Sequence, residues 1–440
     1  MDQLSLLSGA KKLSELPSAK LKKADKLGRH GWINFYAAYS ENFVDYALEC
    51  LGVTKEHTVL DPFLGSGTTA VSVQKKNVSL VGWDLDPFAC LLARAKVSVN
   101  ASEEVVLSYL KASKASSRLL FEAQASEIFN QDCLQYAANV FSKIHRKIKG
   151  GRKNILFKIC TDTTGKYDSE VVALVALCIA ASKSAKLIRG SNPTWYRRGA
   201  PGEFEVISVL KAEVEKVARR MILDLSQCSS RRESTIKIYN CDTAVGCDYV
   251  EDESIDYIIT SPPYLTRIDY VVNHLPNLIL LSGFMMVDIE SLRSSMIGTS
   301  KILSRVDLNP AWGAKCLTVL SEIFDHKSYA SKGYYYWTYV QYFSSMFSVI
   351  LSMSRKLKIG GSGLIVVQSS FYKDVKISLS KIIVEMMAAV GLESEVVKQE
   401  KVSINMKNLH ILRSEEQEKF LEKKPTEDVI YFKKVNNLKI

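Results

Sequence analysis

The apolar positions of this 440-residue chain fall into short runs, separated by polar turns and by longer helical stretches. Thr58 to Leu60 is one run, ending in Asp61, and Val78 to Trp83 is another, ending at Asp84. Between them lie a Gly/Ser/Thr loop and a helix start over Ala70 to Lys76. Strand, Gly-rich loop, helix, strand is the signature of a βαβ unit in a parallel sheet. Strand-like runs return at Ile236 to Cys241, Ile255 to Thr260 and Gly363 to Gln368, the last after a Gly360-Gly361 turn. Two more fit around 394–402 and 428–434, joined by a charged connection. The pattern predicts an α/β fold: a Rossmann-like, seven-stranded, mostly parallel sheet with helices on both faces.

The stretches between these runs divide the chain. Residues 1–30 are polar and basic and read as an N-terminal arm. Residues 31–100 hold the first half of the α/β domain, and 236–264 its central part. Residues 341–440 hold its second half and the last strands. Residues 101–235 read as a helical insert carrying 22 Lys/Arg and 14 Asp/Glu, a net 22 − 14 = +8 of the chain's +11. A second insert, 265–340, is helical and rich in aromatics. Across its end, Tyr335, Tyr339, Tyr342 and Phe343 recur at helical spacing, which reads as a core-facing helix.

Composition narrows the classes. With 47% apolar and 24% charged residues the chain is globular, which excludes wholesale disorder and collagen-like structure. A net charge of +11 favours an anionic partner, and nucleic acid is the commonest. The longest apolar run, Val171 to Ala181, is far short of the roughly 20 residues of a bilayer crossing. The Lys-rich N-terminus lacks the apolar core of a signal peptide, so a cytoplasmic protein with no membrane contact is expected. Nine cysteines without a C-x-x-C pair argue against a disulfide framework and a clustered zinc site. Reduced thiols and no metal are expected, and none of the six histidines shows ligand spacing.

Two segments carry chemistry. In Asp61-Pro-Phe-Leu-Gly-Ser-Gly-Thr-Thr69, two glycines two apart sit at a strand end and open a helix. They allow a sharp turn and close approach to a ligand, beside free helix N–H groups. Asp84, at the end of the next strand run, can accept hydrogen bonds from both hydroxyls of a ribose. A phosphate-binding P-loop is discounted, because Thr68 stands where a lysine is needed. A dinucleotide site, an S-adenosylmethionine site and a structural glycine turn stay open at this point. The second segment, Thr260-Ser261-Pro262-Pro263-Tyr264, ends an apolar strand. Its prolines fix φ and remove two N–H donors. Main-chain carbonyls are then left as acceptors for an exocyclic amino group, and Tyr264 offers a face for base stacking. A plain Pro-Pro turn is the bland alternative.

Together the two segments resemble those of the DNA amino-methyltransferases, which methylate cytosine N4 or adenine N6. The resemblance implies S-adenosylmethionine around Asp61, Phe63, Gly65, Gly67, Thr68 and Thr69, with Asp84 on the ribose and Asp242 at the adenine amino group. Phe35-Tyr36-Ala-Ala-Tyr39, followed by Phe43-Val44, is similar to the segment packing on the methionine end. Gln368-Ser-Ser-Phe-Tyr372-Lys373 resembles the loop beside the target base, and Asn405-Met-Lys407-Asn408 would line the same groove. Ser261, Pro262, Pro263 and Tyr264 would be the catalytic tetrapeptide. The chain has the cofactor loop before the tetrapeptide, the reverse of many relatives with this loop.

The implied reaction is direct methyl transfer to a base extruded from double-stranded DNA. It needs no metal and no covalent intermediate. A carbon-5 cytosine enzyme would need a thiol nucleophile, usually announced by Pro-Cys, and that dipeptide does not occur. Ser261 in place of Asp tilts the family habit to cytosine N4 over adenine N6. An RNA methyltransferase and a non-catalytic DNA-binding subunit with the same fold stay as alternatives. A restriction or defence partner is a further implication. Arg189, Trp195, Arg197 and Arg198, and Lys373 in the loop beside the base, are the expected nucleic-acid contacts. Other basic clusters lie at Lys143, Arg146, Lys147, Lys149, Arg152 and Lys153, and at Lys183 and Lys186, where a solvated helix face is equally open.

Overall fold

A computed structural model of the chain describes residues 12–22, 25–34, 39–111, 121, 124–189, 196–199, 206–227, 234–265, 269–299, 301–303, 305–402 and 424–436. Eleven strands occur among them: β1 Thr58–Asp61, β2 Ser79–Asp84, β3 Leu187–Arg189, β4 Tyr196–Arg198, β5 Ile236–Asn240, β6 Ile255–Thr260, β7 Leu357–Gln368, β8 Ser370–Tyr372, β9 Val375–Ile377, β10 Leu392–Lys401 and β11 Thr426–Lys434. Seven form one sheet in the order β10-β11-β7-β6-β1-β2-β5. β11 runs antiparallel to both its neighbours, and the other pairs are parallel. The expected mostly parallel seven-stranded sheet is met, and each of its strands overlaps a predicted run.

Side chains on a strand alternate between faces, and here each face has its own core. Val59, Ile259, Leu364, Val366 and Val429 point into one, while Leu60, Ile258, Ile365, Val367 and Ile430 point into the other. The first face is covered by helices Glu41–Cys50 and Pro87–Lys96 and by those of the 101–235 stretch. The second is covered by helices Ala314–Asp325, Tyr336–Lys356 and Leu379–Ala389. Val171 to Ala181 lies in helix Asp168–Ser182, which is buried on every side. Among the described residues no helix is long and apolar enough to cross a membrane.

The base of that helix holds a buried ion pair. Arg94 bonds Asp168 at 2.5 Å, and Asp168 also accepts the backbone N–H groups of Val99 and Asn100 at 2.9 Å each. Much of the basic charge in this stretch is likewise engaged. Arg152 donates to the carbonyls of Ser282 and Met285, Lys143 to that of Ser108, and Lys183 pairs with Glu213. The stretch also contains the hairpin β3–β4, which the helical reading did not anticipate.

β7 begins at Leu357, six residues before the predicted run. The Gly360-Gly361 pair makes a bulge within it rather than a turn before it, with the register shifting between Ile255↔Leu357 and Tyr257↔Ser362. Gly360 takes a φ of +83°, and a Cβ on Gly361 would stand 2.8 Å from the Asp256 carbonyl. The core-facing reading of the aromatic helix is met: Tyr339, Tyr342 and Phe343 are buried in helix Tyr336–Lys356.

Candidate active site

β1, β2, β5 and β6 run parallel, so their carboxyl ends emerge on one edge of the sheet. A cleft opens there, at the strand ends where parallel α/β sheets bind their ligands. Phe63, Gly65 and Thr68 from the loop after β1 line it, with Asp84 at the end of β2 and Asp242 after β5. Ser261, Pro262 and Pro263, after β6, line it as well. The glycine loop and the Ser-Pro-Pro turn therefore share one cavity.

The loop is shaped by its glycines. Gly65 and Gly67 have φ of +50° and +81°, which L side chains rarely adopt. A Cβ on Gly67 would stand 2.7 Å from the Ala93 Cβ, so the close packing of helix Pro87–Lys96 also demands glycine there. Gly67 caps helix Thr68–Lys75 without a side-chain hydrogen bond, which leaves the first-turn N–H groups available at the cleft.

Asp61 plays a different part from the residues beside it. It is fully buried and does not line the cleft. Its carboxylate accepts the Tyr39 hydroxyl at 2.9 Å, the Thr69 hydroxyl at 2.5 Å, the Thr260 hydroxyl at 2.7 Å and the Phe63 N–H at 3.1 Å. Thr69 is buried in the same network, and its hydroxyl also contacts that of Tyr39. Burial raises the Asp61 carboxyl, and the hydrogen bonds oppose that rise. Asp61 thus ties the loop to the strand tip that bears the Ser-Pro-Pro turn.

Asp84 faces the cleft with each oxygen held by one backbone donor, Gly65 N–H at 2.8 Å and Asp86 N–H at 2.9 Å. Burial, reinforced by the Asp86 charge, pushes its carboxyl up to about 7. Asp86 caps helix Pro87–Lys96 through Phe88 N–H at 2.8 Å and meets His274 Nδ1 at 2.5 Å. Asp242 is also raised by burial, and its carboxylate accepts Ala244 N–H at 2.9 Å.

The Ser-Pro-Pro turn is held from two sides. The Ser261 hydroxyl donates to the Val366 carbonyl of β7 at 3.2 Å, so its oxygen is left as an acceptor. The Tyr342 hydroxyl donates to the Pro263 carbonyl at 3.0 Å. Burial pushes the Tyr342 phenol far up, which keeps it a donor. Tyr264 is half-buried, and its N–H donates to the Tyr270 hydroxyl at 3.3 Å.

The other expected residues are placed as follows. Tyr36 and Trp195 lie outside the described residues, as do Asn405 to Asn408, whereas Tyr39 lines the cleft. Arg189 ends β3, and Arg197 and Arg198 lie on the facing strand β4. Lys373 is exposed in the turn between β8 and β9. Among the described residues no group of three His, Cys, Asp or Glu side chains could hold a metal. Tyr342 and His274 were missed as site residues. Their partners lie 79 and 188 residues away, and no local pattern marks such pairs.

No family model matches the chain. It is similar to the type II methyltransferase M.BsoBI of Geobacillus stearothermophilus, 23% identical over 271 residues. That match covers 55% of this chain and 50% of the relative, so the chain spans about half that relative's length. The type II methyltransferase M.MjaII of Methanocaldococcus jannaschii is 34% identical over 65 residues, 14% of this chain and 12% of its own. A solved rRNA methyltransferase, aviRa of Streptomyces viridochromogenes, aligns over 92% of this chain and 88% of its own at 9% identity. Its TM-score of 0.28 is too low to carry an argument.

Proposed function

We propose that this chain, a relative of the type II methyltransferases, transfers a methyl group from S-adenosylmethionine to the exocyclic amine of a base in double-stranded DNA, with cytosine N4 as the acceptor. The observation that carries the reading is the shared cleft of the Gly65 loop and the Ser261-Pro262-Pro263 turn.

The residues present fit the methyl donor. Asp84 presents two carboxylate oxygens to the cleft, each with one N–H already in place, an acceptor pair suited to a vicinal diol. Asp242 adds an acceptor for an amino group. Phe63 and Pro262 supply apolar wall. When bound, S-adenosylmethionine supplies an electrophilic sulfonium methyl.

The chain's own task is positional. An amino nitrogen conjugated to a base ring is a poor nucleophile. Acceptors at the Ser261 oxygen and the Pro262 carbonyl hold its hydrogens and turn its lone pair towards the methyl. Alignment of this kind supplies much of the acceleration in a direct displacement. Val366 holds the Ser261 hydroxyl and Tyr342 braces the turn at the neighbouring Pro263 carbonyl, and Tyr264 stacking offsets part of the cost of extruding the base. The proton released passes from the methylated nitrogen to solvent. Arg189, Trp195, Arg197, Arg198 and Lys373 are proposed phosphate and base contacts, supported by their charge and aromatic character.

The test is incubation with radiolabelled S-adenosylmethionine and DNA, followed by digestion to nucleosides and mass spectrometry. N4-methylcytosine is expected. N6-methyladenine would overturn the base assignment and leave the mechanism standing. Label in RNA alone, or none, would overturn the reading.

A further inference from the structure

The segment between β5 and β6 carries a pair of thiols outside the chemistry described above. Cys241 directly follows β5, and Cys247 lies six residues on. Their sulfurs stand 2.8 Å apart. A disulfide bond is about 2.05 Å long, so the sulfurs need to close by less than about 1 Å. The intervening chain is already folded back. The Asp242 carbonyl accepts the N–H groups of Val245 at 3.2 Å and Gly246 at 2.9 Å, and Gly246 takes a φ of +97°. Ring closure therefore asks little further ordering of the backbone.

The surroundings favour reaction at this pair. Cys241 is half-buried and Cys247 fully so, while Val245 at the tip of the turn is 83% exposed. Cys241, the partly exposed member of the pair, is where a small oxidant would enter. A proton shared between the two holds the Cys247 thiol below its ordinary value and pushes Cys241 up. Burial alone raises an isolated core thiol such as Cys178.

We propose that Cys241 and Cys247 are a redox modification site: they form a reversible intramolecular disulfide that locks the turn bearing Asp242 and Thr243 in the cleft wall. With hydrogen peroxide as oxidant, one thiolate attacks a peroxide oxygen, the O–O bond breaks, and a sulfenic acid and water result. The second thiol then attacks the sulfenic sulfur. Its proton leaves with the hydroxyl as a second water, and the S–S bond forms. Two thiols lose two electrons and two protons, and one peroxide becomes two waters. A thiol reductant reverses the step by exchange. The lock bears on the cleft, because Asp242 and Thr243 line it and the Thr243 hydroxyl anchors to the Pro62 carbonyl at 2.6 Å. The oxidation needs no methyl donor, so its outcome is independent of the reaction proposed above.

The full chain is titrated with hydrogen peroxide, its remaining thiols are blocked with N-ethylmaleimide, and it is digested with trypsin. Both cysteines fall in one tryptic peptide, residues 238–267. The expected product is that peptide two hydrogens lighter and unalkylated, restored by dithiothreitol. It should form about tenfold faster than any other thiol is lost. Cys247→Ser should abolish it. Amide exchange at Ala244 to Gly246 should slow about tenfold on oxidation. Alkylation of both thiols at full peroxide, or linkage of either to another cysteine, would overturn the pairing. A disulfide with unchanged amide exchange would overturn the lock.

Discussion

Asp61 and Thr260, 199 residues apart in the chain, are joined by a 2.7 Å hydrogen bond at the tips of two neighbouring strands. The bond lies beneath the cleft and fixes the spacing between the glycine loop and the Ser-Pro-Pro turn. Asp61→Ala would leave three hydroxyls and one N–H without their buried acceptor. An unsatisfied buried group costs about 1–3 kcal/mol, and partial re-pairing of the hydroxyls holds the expected loss to roughly 2–4 kcal/mol. Urea unfolding measures it. A midpoint equal to that of the wild type would mean that the network adds nothing to the fold.

Asp84 sets a pH dependence. Its carboxyl is raised to about 7, so a substantial part of it is protonated at neutral pH. A diol donates to the ionised form, and a sulfonium is attracted by it. S-adenosylmethionine affinity is therefore expected to rise as pH goes from 6 to 8 and to level off above. Titration calorimetry at several pH values reads this directly. Asp84→Ala should bind at least about tenfold more weakly and lose the slope.

Tyr342→Phe removes one hydroxyl and leaves the Pro263 carbonyl without its donor. The expected cost to stability is about 1 kcal/mol. Turnover should fall about tenfold, because the turn is displaced rather than lost. Donor affinity should stay unchanged, since Tyr342 does not line the cleft. Equal losses in both quantities would place Tyr342 in general folding instead.

Lys96 is 1% exposed, and burial, with the Arg29 charge beside it, lowers its ammonium group from 10.5 to about 7. Between pH 7 and 10.5 the unfolded chain holds a proton that the folded chain does not. Stability therefore rises with pH across that window, and the penalty is greatest below it. Lys96→Met should raise the urea midpoint at pH 7 and flatten its rise towards pH 10. A lower midpoint at pH 7 would show that the amine is satisfied in the fold.

The seven strands of the main sheet were legible because each announces itself locally. Val59 and Leu60, or Ile258 and Ile259, alternate between two cores, so a strand buried on both faces shows as an unbroken apolar run of a few residues. The loop Asp61 to Thr69 was legible for a similar reason, since its glycines sit where the backbone takes positive φ. The hairpin β3–β4 was not, because two three-residue strands carry too little periodicity to stand out from helix. The Gly360-Gly361 pair signalled a break in regular structure, and only the pairing with β6 made that break a bulge.

What the amino-acid order determined alone was therefore the seven strands of the main sheet, the α/β class and the two short segments that line or brace the cleft. Tertiary structure decided which of those residues face the cleft and which hold it together. Asp61 turned inward to Thr260, Asp86 met His274, Tyr342 reached Pro263, and Cys241 came to lie against Cys247 across a turn. The reason is one of range. Hydrophobic periodicity and backbone dihedrals act over a few residues. Contacts between strand tips depend on the crossover order of a whole sheet, which only the packing of both cores selects.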